Sequence, residues 1–388
     1  MKIAVVAEYY PRAADPVLGV WAHRQALAAR AAGADVRVLV LHRPVPSRAA
    51  LARRDPSALL APLRQPLRTE LDGLRVDYVP FLAPPRPRSY GTWGAWAAPP
   101  LALALRRLAR SFPFDLVHAH YAAPAGDAVR RARPGVPVVV SVHGGDVLSV
   151  AHRSRAGGAA VRAGLAHARL VLANSAGIAA HARRLGARRT RVVHLGTELP
   201  EAAREHLGSD LVTVAHLVER KRHADVLRAL WLLRESHPDV RWDVVGDGPQ
   251  RGTLERLAGE LELDGRVRFH GALPPTEAQA AARSAGVFVL PSVDEAFGVA
   301  YVEAMAVGVP AIGSRGEPGP EEIARAGGGL RLVAPGDPEA LARELRGLLD
   351  EPGWRRELGA AARATVADGF TWEQCGRATV AAYAEALG

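Results

Sequence analysis

Two carboxylates, Glu295 and Glu303, stand eight positions apart in PSVDEAFGVAYVEAMAVGVPAIGS (residues 291–314), a stretch otherwise apolar enough to be core. Between them lies the turn Phe297-Gly298, followed by Val299. If a strand ends near Ser292, Glu295 sits in the loop leaving it and a helix starts at the glycine. The free N–H groups there, at Phe297, Gly298 and Val299, form an anion site, and glycine lets a phosphate come close to the backbone. Glu303 then lies roughly 7–8 Å further along the axis, about the reach from a diphosphate to its ribose. A carboxylate at that point can accept both ribose hydroxyls. Glu295, ahead of the helix, faces whatever hangs from the other side of the phosphates, which in a sugar nucleotide is the sugar.

A second group lies in AHLVERKRHADVLRAL (215–230). Arg220 and Lys221 come just before the apolar pattern of a helix, and His216 leads the turn. Only two lysines occur in the chain, against 48 arginines, and Lys221 is one of them. A compact ammonium suits a diphosphate as a point charge. The turn VVGDGPQRG (244–252), with Gly246, has G-x-G-x-x-x-G spacing, and no acid closes the next strand. It reads as a tight turn in the donor region and not as a nicotinamide fingerprint.

Histidines gather in the first half, in HAHYAAPAG (118–126) and SVHGGDV (141–147). Without H-E-x-x-H or cysteine support they make no zinc set. His120, Tyr121, His143 and Asp146 read instead as hydrogen-bonding groups of a sugar or acceptor pocket, and His118 as a core imidazole. Gly19, before a helix starting near Trp21, could admit a phosphate or simply make the turn. No D-x-D pair is present, so the expectation is that no metal is required and that cations and helix amides meet the diphosphate charge.

These residues need a scaffold that brings loop ends together. Nearly continuous apolar runs alternate with helical stretches along the whole chain, at 2–8, 35–42, 74–81, 116–120, 136–144, 170–175 and 191–195, then at 211–217, 241–247, 267–271, 286–292, 309–314 and 329–335. Strands buried on both faces read this way, so the chain is α/β, with two doubly wound parallel sheets. Ligands in such sheets sit at the carboxyl ends of strands, where the candidate residues fall. The expected domains are 1–195 and 196–369, with an amphipathic helix at 370–388 capped by Thr371. The boundary falls in LGTELPEAAREHLGSD (195–210), and residues 42–71, rich in Pro and Arg, read as a surface excursion or lid.

The 388 residues suffice for two cores. No run is long and apolar enough to span a bilayer, the N-terminus does not read as a signal peptide, and a single cysteine forms no intramolecular disulfide. A cytoplasmic protein is the expectation. Residues 1–195 hold 29 Lys+Arg against 10 Asp+Glu, whereas 196–388 hold 21 against 30. That asymmetry points to an anionic acceptor, or to transient docking of the first half on the anionic inner face of the cell membrane. LALALRRLAR (101–110) and the 42–71 excursion are the candidate contacts. Nucleic acid is not expected as a partner, because aromatics are sparse and no recognised module appears.

Taken together, these motifs resemble the retaining family 4 glycosyltransferases of GT-B fold. The family's E-x7-E matches Glu295 and Glu303, its Gly-Arg-Leu…Lys-Gly segment matches AHLVERKR, and its GDGP, LPS-x-x-E-x-FG…EAMA-x-G-x-P and HGxD elements are all visible. The resemblance implies two Rossmann-like domains facing a central cleft, acceptor bound by the first and nucleotide sugar by the second, with the last helix crossing back to the first. It implies Lys221 and Arg220 on the diphosphate, Glu303 on the ribose, Glu295 on the sugar, phosphate on the Phe297 and Gly298 amides, His143 near the reacting centre, and the Gly19 loop near donor phosphate. His216 stands where the family usually has Arg, and Arg222 where Gly is usual. The implied reaction moves a sugar from a UDP- or GDP-sugar to a glycan, lipid-linked or small-molecule acceptor in envelope glycan, glycolipid or polysaccharide synthesis, with no tightly bound cofactor. Nothing singles out a carboxylate beneath the anomeric carbon, so attack on the face the diphosphate leaves is preferred. A sugar-nucleotide epimerase, a glycan phosphorylase and a basic nucleic-acid-binding protein are the rival readings.

Overall fold

The computed structural model describes residues 1–46, 56–201 and 210–388. Residues 47–55 of the expected excursion and 202–209 of the expected boundary lie outside the described residues. The chain divides into two compact units, Met1–Leu195 with Trp372–Gly388, and Gly196–Thr371.

The first unit is built on one sheet: β1 (Lys2–Ala7), β2 (Asp35–His42), β3 (Arg68–Leu71), β4 (Leu74–Pro80), β5 (Leu116–His120), β6 (Val138–Val142), β7 (Leu170–Ala173) and β8 (Thr190–Val192). Their order is β3-β4-β2-β1-β5-β6-β7-β8. All neighbours are parallel except β3, which pairs antiparallel with β4. Every residue of β5, β6 and β7 is buried, His118, His120 and Ser141 included, as in strands covered on both faces.

β3 corrects the expected excursion over 42–71. Asp72 and Gly73 both have positive φ, 48° and 76°, the geometry of a two-residue hairpin turn, and they fold Arg68–Leu71 back along β4. An Asp-Gly pair ahead of an alternating strand was the available signal; the polar sequence RTEL hid it, because an edge strand need not be apolar.

The helix Trp372–Leu387 belongs to the first unit. Its buried Cys375, Ala382, Tyr383 and Ala386 join Ile3, Val5, Val36 and Leu170 in one core. Gly376 lets it lie directly on the helix Val20–Ala31, for a Cβ there would fall on the Ala28 carbonyl.

In the second unit, β9 (Leu211–Val214), β10 (Trp242–Val245), β11 (Val267–Gly271), β12 (Val287–Val289), β13 (Ala311–Ser314) and β14 (Leu330–Val333) form an all-parallel sheet in the order β11-β10-β9-β12-β13-β14. Its core centres on Trp242, fully buried, whose indole N–H donates to Thr213 Oγ1 at 3.0 Å. In both sheets the strand order reverses beside the strand that opens the unit, at β1/β5 and at β9/β12. Such reversals open the crevices where α/β sheets bind ligands.

Candidate functional site

At the β9/β12 reversal of the second unit, two loops meet. After β9 the chain makes a short 3-10 turn, Glu219–Lys221, before the helix His223–Leu232. After β12 it runs through Ser292 and Glu295 to the helix Val299–Ala306. A backbone hydrogen bond from Val293 N–H to the Arg220 carbonyl, 2.8 Å, joins the loops directly.

Lys221 Nζ donates to Glu295 Oε2 at 2.5 Å, with both side chains almost wholly out of water. Ser292 Oγ donates to the same carboxylate oxygen at 2.9 Å. Burial works to raise the Glu295 pKa, but the Lys221 ammonium, its hydrogen bond, the Arg220 charge and the Ser292 bond together hold it below the ordinary carboxylate value. The Glu295 N–H donates to Glu317 Oε2 at 2.8 Å and its carbonyl accepts from Gly319 N–H at 3.0 Å, so the backbone is clamped as firmly as the side chain. Glu317 titrates above its usual value because of its own burial and the neighbouring Asp294 and Glu295 charges. Exposed Arg220 has no ion-pair partner among the described residues. His216 is exposed on the same turn.

Gly298 caps the helix Val299–Ala306 with φ 90°, a region L-residues rarely enter. Its Cβ would fall on the Tyr301 ring, which cannot retreat: Tyr301 is fully buried, its hydroxyl donating to the Leu290 carbonyl and lying 3.2 Å from Ser292 Oγ. Gly298→Ala should therefore cost about 1–3 kcal/mol of stability, measured by urea unfolding; an unchanged midpoint would refute the steric requirement. Phe297 buries its ring 5.7 Å from that of Phe370, leaving its backbone at the helix end. Glu303 is half-buried on the same helix. Gly246, with φ 141°, is explained without a ligand, since a Cβ there would collide with the Ala215 carbonyl as the β10 exit packs under the β9 exit.

Ser292, Glu317 and Tyr301 were not anticipated as parts of this group. Neither was His223, buried behind Lys221 with both ring nitrogens unpaired among the described residues and its pKa pushed down to about 4, first by burial and then by the Lys221 and His216 charges. Ser292 and Glu317 lie just past strand ends, which was a usable signal; His223 looked like any first-turn residue.

The first unit gathers its candidates at the carboxyl ends of β1, β5 and β6. Tyr121, with φ 77°, stacks at a tilt on Tyr9 (5.0 Å between centroids) and on His143 (5.2 Å), and Trp21 lies 6.2 Å from both Tyr9 and His143. These four rings form one aromatic group, with half-buried His143 at its base.

Two expected pocket residues take other parts. His120 is almost wholly buried, its ring stacked on His143 with Nδ1 3.0 Å from His143 Nε2, so it supports His143 from beneath and does not line a pocket. Asp146 has no exposed surface: its oxygens accept from the backbone N–H groups of Ala122 (2.9 Å), Val147 (3.1 Å) and His143 (3.2 Å). It ties the β5 and β6 exits together. Burial raises its pKa to about 6 against the pull of those amides. Gly19 is likewise a packing glycine, since at φ 66° a Cβ would strike the Tyr9 and Tyr10 backbone. His118 is the core imidazole expected, 2.8 Å from Tyr383 Oη and 2.7 Å from Ser141 Oγ, its pKa lowered to about 3 by burial.

Residues 203–365 match the family profile "Glycosyl transferases group 1", and residues 18–198 match "Glycosyl transferase 4-like domain". The D-inositol 3-phosphate glycosyltransferase of Thermobifida fusca is 32% identical over 311 residues, 71% of this chain and 70% of that protein. The MMP alpha-(1->4)-mannosyltransferase of Mycolicibacterium hassiacum is 33% identical over 199 residues, 50% of this chain and 48% of that one. The chain spans about half the length of the first mannosyltransferases it matches. Among solved structures, sucrose-phosphate synthase from Thermosynechococcus elongatus superposes with TM-score 0.79 at 23% identity, covering 99% of this chain and 98% of that one. Anabaena HepE in complex with UDP and glucose does so with TM-score 0.73 at 19% identity, covering 99% and 100%.

Proposed function

The chain belongs to the glycosyl transferases group 1, with the two parallel-sheet α/β domains of the GT-B fold, and on that premise we propose that it moves a sugar from a nucleotide-diphosphate sugar to an acceptor hydroxyl. The observation that carries the proposal is the Lys221–Glu295 pair at the β9/β12 reversal, beside the Gly298 helix end and the exposed Arg220.

A diphosphate there offers Lys221 a better partner than one carboxylate oxygen. The ammonium turns toward the phosphate, with Arg220 and the amides at 297–299 completing the charge. Glu295 is then released, still ionised, to accept hydrogen bonds from the donor sugar's hydroxyls. Glu303, further along the helix, takes the ribose. The acceptor oxygen forms its bond to the anomeric carbon as the bond to the β-phosphate oxygen breaks on the same face. Its proton passes to the leaving diphosphate and configuration is retained. The first unit supplies the acceptor side, with His143 and the Tyr9, Trp21 and Tyr121 rings offering stacking surface to a sugar. The relatives support a role in envelope glycan or storage-sugar synthesis, with a GDP-sugar, as in the GDP-mannose-dependent mannosyltransferases, or a UDP-sugar as donor.

A thermal-shift panel of nucleoside diphosphates and their sugars tests this, because a ligand held only by the native state raises its melting point. One base and one sugar should stabilise the wild type and leave Glu303→Ala unmoved. No shift with any member would sink the assignment, and a sugar trapped covalently on the protein would overturn the same-face route.

A further inference from the structure

Away from the carboxyl edge of its sheet, the first unit holds a cavity of about 450 Å³ between the outer face of β2, β3 and β4 and the helix Trp93–Ser111. That volume lies within the range of small-molecule sites. Leu39, Leu67, Pro100 and Leu103 give it an apolar lining, and Arg68, Arg75 and Arg107 also face it. Arg68 and Arg75 share one carboxylate, Asp77, at 2.6 and 3.3 Å. Arg107 has no ion-pair partner among the described residues. Three guanidiniums against one carboxylate leave a net positive site around an apolar hole.

The surroundings continue the same chemistry outward. Trp96, Pro100, Leu103 and Arg107 follow one another at i, i+4, i+7 and i+11, a single stripe of the helix. Trp96 and Leu103 are 52% and 44% exposed, and Leu67 is 59% exposed across from them. The helix contains no acidic residue, and Arg106 and Arg110 are exposed beside the stripe. An aromatic and leucines open to solvent, flanked by arginines, is the composition that settles into the headgroup layer of an anionic bilayer. The cavity adds a place for part of one lipid molecule.

We propose that this cavity binds a single anionic phospholipid of a bilayer, an acyl chain entering between Leu39, Leu67 and Leu103 and the phosphate meeting Arg107 and Arg68. The proposal uses none of the residues assigned to sugar transfer and stands or falls apart from that assignment.

The test uses the full chain with vesicles of phosphatidylcholine alone and of phosphatidylcholine with phosphatidylglycerol, read by co-sedimentation. The wild type should sediment with the anionic vesicles only. Arg107→Glu, and separately Ala104→Phe, which fills the cavity, should each weaken binding by about tenfold or more. Both variants should keep the wild-type circular dichroism and the wild-type nucleotide response, which separates failure here from failure of the transferase reading. Equal binding to neutral vesicles, or none to either, overturns the proposal. So does an Ala104→Phe variant that binds like the wild type, since the attraction would then be surface charge alone. Glycerol phosphate that stabilises the protein as well as a short-chain phosphatidylglycerol overturns the acyl-chain part.

Discussion

Replacing Lys221 by alanine is expected to lower sugar transfer by about 100- to 1000-fold, the loss that follows removal of one preorganised donor from a developing oxyanion. The same change should destabilise the second unit by about 3–5 kcal/mol at neutral pH, because Glu295 is left charged, buried and without its cation. The two effects separate by pH. In the wild type Glu295 has a depressed pKa, so its contribution is present above the unfolded value near 4.5 and is lost as pH falls through the folded one. Without Lys221, burial dominates and pushes the pKa up, so the variant should regain stability relative to wild type as pH falls toward 4. Urea unfolding at pH 7 and pH 4.5 checks the sign. The pair Lys221→Met with Glu295→Gln should recover most of the stability and none of the transfer. A single variant with a wild-type unfolding midpoint at neutral pH would show that the pair is not the buried clamp its geometry indicates.

A second large effect comes from imidazoles that burial keeps neutral. His118 and His223 are shifted down to about 3 and about 4, and His120 well below its usual value, each chiefly by desolvation. The unfolded chain protonates these rings near pH 6.5 and the folded one does not. Stability is therefore constant above about pH 7 and falls below it, by about 1.4 kcal/mol per pH unit for each ring at full slope. Asp146 works the other way: its folded pKa, raised to about 6, makes the native state the better proton binder between the ordinary carboxylate range and pH 6. In the first unit His143, also lowered to about 3 by burial, joins His118 and His120, so three strongly shifted imidazoles outweigh the one carboxylate, and in the second the raised Glu317 opposes His223 in part. Denaturant midpoints should drop steeply between pH 7 and pH 5, and His223→Leu should flatten the second unit's share. Midpoints that stay level across that range would contradict neutral burial of these rings.

The scaffold was legible because its logic is local. Runs such as KIAVVA and VPVVVSV carry no polar side, which only a strand covered on both faces tolerates, and Gly298 with its flanking sequence announces a helix end. Charge pairing across chain distance was less legible. Lys221 and Glu295 are 74 positions apart, and both were marked as ligand contacts; that they hold each other depends on β9 and β12 lying side by side, which the order of strands in a sheet decides. Asp146 and His120 show the converse error. A polar residue after a strand was read as facing a ligand, when three backbone amides needed the carboxylate and His143 needed a support. Sequence cannot tell a group that serves substrate from one that serves its neighbours' backbone, since both have the same type and the same place. β3 was missed for a related reason: its partner, and not its own composition, makes it a strand.

The helix Trp372–Leu387 gives the polypeptide an order of assembly. Its Tyr383 and Cys375 complete a core begun by Ile3 and Val5, while Gly196–Thr371 builds a separate core from its own residues. During synthesis the segment made second can finish first, and the segment made first waits, unsealed, for residues 372–388 to leave the ribosome. Truncation just ahead of Trp372 would thus spare the later-made body and strike the earlier-made one, and chaperone dependence should track the arrival of the helix Trp372–Leu387.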